Sequence, residues 1–158
     1  MTSTANDFAT IEREIYVDAS PEVVYEVVSK PEHIVGWWTD DAVFEEAPGG
    51  SGFVAFGDIA AGGMRVELTV AEAIPPRLFA FRWTHQPGEV AAVGNSNLVT
   101  FKLEAEGSGT RVKFTELGFV ERGWDLSKAR QTYADHSSGW DQFLPRLSEY
   151  AEGLSVAG

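Results

Sequence analysis

From Met64 to Glu116 the chain passes through four consecutive segments of alternating side chains with only turns or a loop between them, and no helix is signalled in the interval. Met64, Val66, Leu68 and Val70 alternate with Arg65, Glu67 and Thr69 in a run that reaches Ile74 and stops at Pro75 and Pro76. Leu78 to Trp83 then places Phe79, Phe81 and Trp83 on one face. Beyond a Gly- and Pro-containing loop from Thr84 to Ser96, Val99, Phe101 and Leu103 alternate with Thr100, Lys102 and Glu104. Gly107, Ser108 and Gly109 turn the chain into a last run with Val112, Phe114 and Glu116 on one side. A period of two marks strands with one buried face. Parallel neighbours need a long crossover, usually helical, so these four strands form an antiparallel meander.

Helical patterning is confined to the two ends. A strand from Ile11 to Val17, with Arg13 the one charged residue on its apolar face, leads into Ser20, a good N-cap, and Pro21, suited to the first helical position. Val23, Val24, Val27 and Val28 supply the apolar stripe of a short helix that ends before Pro31, and His33 to Trp38 forms a further helical turn. Ala42 to Phe44 and Gly52 to Phe56 are two short strands joined through Pro48, Gly49 and Gly50; the glycine run lacks the Lys and Ser or Thr of a phosphate loop. From about Ser127 to Gly153, residues Tyr133, His136, Trp140, Phe143, Leu144, Leu147 and Tyr150 recur at three- and four-residue steps. Pro145 predicts a bend near Trp140 to Gln142, or two helices in place of one.

Composition narrows the function classes. The 158 residues suit a single domain over 1–158, with an ordered core expected from about 8 to 154. No apolar run approaches the roughly 20 residues that cross a bilayer, so membrane insertion is not expected. Met1 to Thr10 is polar and has no secretory pattern, which makes cytoplasmic residence the default expectation. The absence of cysteine removes disulfides, thiolate catalysis and cysteine-bound metal. A net charge of -12 argues against nucleic acid and anionic lipid as partners. No histidine stands in a metal-ligand spacing, no serine sits in a nucleophile elbow, and neither metal nor cofactor is expected. His33 and His85 read as isolated residues at surface turns, and the pairs Asp40 with Asp41 and Glu45 with Glu46 as solvated turn charge.

The segments DASPEVVYEVVSKPEHIVGWW at Asp18 to Trp38, AIPPRLFAFRW at Ala73 to Trp83, GSGTRVKFTELGF at Gly107 to Phe119 and SGWDQFLPRL at Ser138 to Leu147 stand in an order that resembles the START-like, or SRPBCC, helix-grip superfamily. Within it the chain is most similar to the branch named after the activator of the ninety-kilodalton heat-shock protein's ATPase. The resemblance implies an α+β helix-grip fold: a curved antiparallel β-sheet wrapped around a long C-terminal α-helix, with two short helices after the first strand. It also implies an apolar cavity between sheet and helix, rimmed by Gly62, Gly63 and the Gly88 to Asn95 loop. Superfamily members carry lipids, hormones or polyketide intermediates, and a few cyclise or dehydrate them.

Trp37, Trp38, Phe56, Phe79, Phe81, Trp83, Phe101, Phe114, Tyr133, Trp140 and Leu144 are the expected cavity lining, with filling of the core as the alternative role for the same rings. Glu116 stands in an apolar register; there it is a proton carrier or ligand anchor, or it sits at an open strand end and reaches water or an arginine. His136, one turn before Trp140, either exchanges protons with a ligand or is a packed histidine with one hydrogen bond. Glu116 and His136 are thus the candidate catalytic residues. The leading expectation is binding of a small hydrophobic or aromatic molecule without turnover. A polyketide cyclase or dehydratase using Glu116 as general acid or base is the second reading, and a chaperone-ATPase regulator the third. A homodimer is among the expected assemblies, and the chaperone contact that the branch name implies is discounted.

Overall fold

A computed structural model describes residues 9–157, so the polar start over residues 1–8 and the expected onset of order at residue 8 lie outside it. Seven strands form one sheet in the order β1-β7-β6-β5-β4-β3-β2, every neighbouring pair antiparallel. The strands are β1 (Thr10–Val17), β2 (Asp41–Phe44), β3 (Ser51–Phe56), β4 (Met64–Ile74), β5 (Leu78–Trp83), β6 (Asn97–Glu106) and β7 (Gly109–Leu117). Strands β2 to β7 follow one another as a meander, and only β1 is out of sequence, pairing with β7. The curved sheet grips a C-terminal helix, the helix-grip architecture expected from the sequence.

The short helices α1 (Pro21–Ser29) and α2 (Pro31–Ile34) follow β1. Ser20 caps α1, its hydroxyl accepting from the Val23 amide at 3.3 Å. Lys30 is extended, as a residue before proline prefers, and this separates the two helices. Val24, Val27 and Val28 bury the apolar stripe of α1, and Trp37 is pinned behind it by an indole bond to the Val27 carbonyl at 3.0 Å.

Helix α3 (Leu126–Ala157) is continuous through 32 residues, about 48 Å at the helical rise. Asp125 caps its start, accepting from the Lys128 amide at 2.8 Å. Pro145 lies inside this one helix; the carbonyl it leaves without an intrahelical donor is that of Asp141, an exposed residue. Trp140, Leu144, Leu147 and Ala151 are buried at four- and three-residue steps, the stripe that faces the sheet and α1. Arg13, the charge on the buried face of β1, reaches α3, where it donates to Asp141 at 2.7 Å and to Ser137 at 2.7 Å. Among the described residues no helix is long and apolar enough to cross a membrane.

The strand pattern departs from expectation at one place. A bulge between Val70 and Glu72 inserts a residue into β4, so the inward parity changes after Val70 and Ile74 ends 51% exposed, although Val70 is buried.

Candidate functional site

Helix α3 crosses the sheet near the ends of β3, β4 and β5, and an open-mouthed cleft of about 350 Å³ lies between them. The sheet side contributes Phe56, Met64, Val66, Trp83 and Thr84, and Trp38 comes from the turn after α2. The α3 side contributes Thr132, Asp135, His136, Gly139, Trp140 and Phe143, a single stripe at helical spacing. The walls are chiefly aromatic and aliphatic, and the volume falls within the usual range for small-molecule sites. Gly139 keeps the helical wall low, because a Cβ added there would meet nothing within 4 Å.

Of the aromatic set singled out in the sequence, Trp38, Phe56, Trp83 and Trp140 line this cleft. Trp38 stands at the centre, its ring 5.1 Å from that of Trp83 and 5.0 Å from that of Trp140. Phe79, Phe81, Phe101 and Phe114 are buried behind these rings as packed core, Phe114 lying 4.6 Å from Trp140. Trp37 stacks on the far side of Trp38, Leu144 is buried in the helix stripe, and Tyr133 donates its hydroxyl to the Thr10 carbonyl at 3.1 Å. The rings therefore divide between the two roles weighed for them: most fill the interior, and a minority face the opening. The cleft wall near Gly63 is Met64, and the Gly88 to Asn95 segment contributes nothing to the lining.

Glu116 is fully buried and reaches neither water nor an arginine. Three N–H donors and the Nδ1 of His136, from three other elements, converge on its carboxylate. Trp83 Nε1 at 2.7 Å and Asn97 Nδ2 at 3.2 Å donate to Oε2, and Trp140 Nε1 at 2.8 Å donates to Oε1. His136 Nδ1 lies 3.0 Å from Oε1 and 2.9 Å from Oε2. A carboxylate accepts on both oxygens, and indole and amide nitrogens can only donate, so each partner is used in the one sense open to it. Buried charge is tolerated where it is hydrogen-bonded on every side. Trp83, Trp140 and His136 all line the cleft, so Glu116 lies one layer behind its wall and a ligand in the cleft meets its donors first.

A second layer holds that arrangement. Arg122 donates to the Asn97 amide oxygen at 3.2 Å, which leaves the Asn97 NH₂ facing Glu116. The same guanidinium holds Thr84 through its hydroxyl at 2.6 Å and its carbonyl at 3.2 Å. Burial lowers the Arg122 pKa below the ordinary arginine value, with Glu89 and Glu116 opposing. Thr84 has a left-handed backbone, φ 72°, and turns the chain sharply out of β5. Gly118, φ 120°, does the same after β7; a Cβ there would come within 2.9 Å of the Ser96 carbonyl oxygen.

Two histidines differ from their expected surface positions. The turn at Thr84 folds His85 inward, 7% exposed, with Nε2 3.3 Å from the Thr69 hydroxyl and Nδ1 buried without a partner among the described residues. Desolvation lowers its pKa. His33 is partly buried, its Nδ1 2.9 Å from the Tyr150 hydroxyl. Asn97, Arg122 and Gly139 were not recognised as site residues from the sequence. For Asn97 and Arg122 no local pattern marks the role; for Gly139 the signal was a helix-weakening residue facing the apolar stripe.

Comparison with solved structures supports the same architecture. Protein MLL2253 from Mesorhizobium loti has a TM-score of 0.69 at 20% identity, covering 89% of this chain and 95% of that one. The Aha1 dimer from Colwellia psychrerythraea has a TM-score of 0.69 at 22% identity, covering 90% and 96%. DynU16, a protein of the dynemicin biosynthetic locus, has a TM-score of 0.66 at 23% identity, covering 91% of this chain and 47% of its own. No match was found among curated proteins. Residues 18–152, nearly the whole described domain, match the family described as activator of Hsp90 ATPase homolog 1-like protein, and the chain belongs to that family.

Proposed function

We propose that the protein binds a small hydrophobic or aromatic molecule in the cleft between the sheet and α3, without turning it over. The observation that carries this reading is an aromatic-walled opening of about 350 Å³ beside an otherwise packed core, with His136 and Thr84 as polar groups anchored at its wall. Removing apolar ligand surface from water contributes about 25 cal/mol per Å², so a rigid ring system filling such a space gains useful affinity without charge pairing. Native mass spectrometry of the purified chain, followed by calorimetric titration with naphthalene, tests the reading. Binding that disappears in Gly139→Leu, whose side chain projects into the opening, supports it. An unliganded protein that takes up no aromatic probe refutes it.

A second reading, an enzyme of the polyketide cyclase or dehydratase kind, is favoured by the likeness to DynU16 and by the pairing of a buried carboxylate with a cleft histidine. In it, Glu116 acts through His136, which is the group in reach of a substrate. Turnover lost in His136→Gln with binding retained would select this reading. A homodimer is a further proposal, drawn from the Colwellia relative.

A further inference from the structure

We propose that the cleft selects an apolar ring system bearing a weakly acidic hydroxyl, a phenol or an enol, which donates its hydrogen bond to Nε2 of His136. The proposal rests on the ligand-binding reading above and specifies the chemistry of the ligand.

Its basis is the direction of the hydrogen bonds around Glu116. Three neutral N–H groups that cannot accept already point at the carboxylate. His136 Nδ1 sits within 3.0 Å of both oxygens, and toward an ionised carboxylate, which can only accept, it donates as well. In the neutral ring this assigns the proton to Nδ1 and leaves the lone pair on Nε2, as in metal- and substrate-binding histidines oriented by a carboxylate. Arg122 fixes the Asn97 amide, so the donor set around Glu116 cannot reverse without breaking further bonds.

The lone pair faces the cleft. The Nδ1 edge is turned toward a fully buried carboxylate, and the His136 side chain is 18% exposed and lines the cleft. Nε2 has no protein partner among the described residues and is not among the buried unpaired atoms, so it is open to a ligand. The rings of Trp83 at 5.3 Å and Phe119 at 5.4 Å flank the imidazole and hold its plane. A purely apolar ligand seated here would strip water from Nε2 and give nothing back, whereas a hydroxyl donor replaces that bond.

Charge argues against the ionic alternatives. No lysine or arginine lines the cleft, Asp135 stands at its rim, and the chain carries a net charge of -12, so a carboxylate ligand is repelled. An ammonium ligand finds its only cleft-lining counter-charge at Asp135, which is exposed to solvent.

The test compares four probes of one shape on the full chain by calorimetry: naphthalene, 2-naphthol, 2-naphthoate and 2-naphthylmethylammonium. The expected result is that 2-naphthol binds about tenfold tighter than naphthalene, the factor supplied by one hydrogen bond, and that both ions bind more weakly than the naphthol. In His136→Phe, which keeps a ring in place, the naphthol advantage disappears while naphthalene still binds. In Glu116→Gln the advantage shrinks, because the amide NH₂ can donate to Nδ1 and shift the ring proton to Nε2. The wild-type ranking stands even if neither variant folds. Equal affinities for naphthalene and naphthol, tightest binding by the naphthoate or the ammonium, or an undiminished naphthol preference in a folded His136→Phe would overturn the proposal and leave the ligand-binding reading in place. Failure of all four probes to bind would overturn both.

Discussion

Replacing Glu116 by glutamine exchanges one heavy atom, an oxygen for a nitrogen, in a site where three neighbours can only donate. The carboxamide keeps one acceptor oxygen and converts the other into an NH₂. If the NH₂ takes the Oε2 position it opposes the N–H groups of Trp83 and Asn97 together. If it takes the Oε1 position it opposes only Trp140, because His136 can exchange its tautomer and accept. The second orientation is therefore adopted, and it leaves one buried indole N–H without a partner, at about 1 to 3 kcal/mol. The surviving bonds weaken from charge-assisted to neutral, a further loss of about 1 kcal/mol, partly offset by relief of carboxylate desolvation. The losses sum to about 2 to 4 kcal/mol before that offset, so a net destabilisation of about 1 to 3 kcal/mol is expected. Urea denaturation should show the midpoint falling with the slope unchanged. In ¹⁵N-resolved NMR the indole N–H of Trp140 should shift more than that of Trp83. A Glu116→Gln protein within about 0.5 kcal/mol of wild type, or one in which Trp83 alone responds, would refute the view that Glu116 is held by obligate donors.

Gly139→Ala, adding a methyl to open space inside a helix, should raise stability by about 1 kcal/mol and Tm by about 2 to 4 °C in a thermal scan. Leu147→Ala removes a fully buried side chain from the contact stripe of α3 and should cost about 2 to 5 kcal/mol in chemical denaturation. Burial lowers the His85 pKa, so in the window below the unfolded-state value of about 6.5 the unfolded chain binds more protons than the folded one. Stability contributed by neutral His85 should then be complete above that pH and decline as pH falls through the window; thermal scans from pH 7.5 to 5 should show a shallower decline in His85→Gln.

The alternation in β5, β6 and β7 was legible because each of these strands has one strongly buried face, and Phe79, Phe101 and Phe114 lie on it. The stripe of α3 was legible for the same reason at a different period, and its continuity through Pro145 was not, since the exposure of the Asp141 carbonyl's side is a tertiary fact. The bulge at Val70 was invisible because both residues beside it are compatible with a regular strand. Glu116 and His136 stood out as polar residues in apolar registers, yet their bond to each other depends on where α3 crosses β7, which no local pattern encodes. The same holds for Arg13, an anomaly in its strand until Asp141 and Ser137 supply its partners. For the rings, parity identified an inward face and could not distinguish the interior from the mouth of the cleft.

The donors around Glu116 also set an order of events during synthesis. Trp83 and Asn97 emerge from the ribosome before the carboxylate, whereas His136 and Trp140 arrive only with the last helix. A sheet formed without that helix would leave Glu116 with two of its four partners missing and its inner face open to water. Docking of α3 supplies the two missing partners, so a chain ending before Leu126 is expected to stay open, with closure of the domain tied to its final segment.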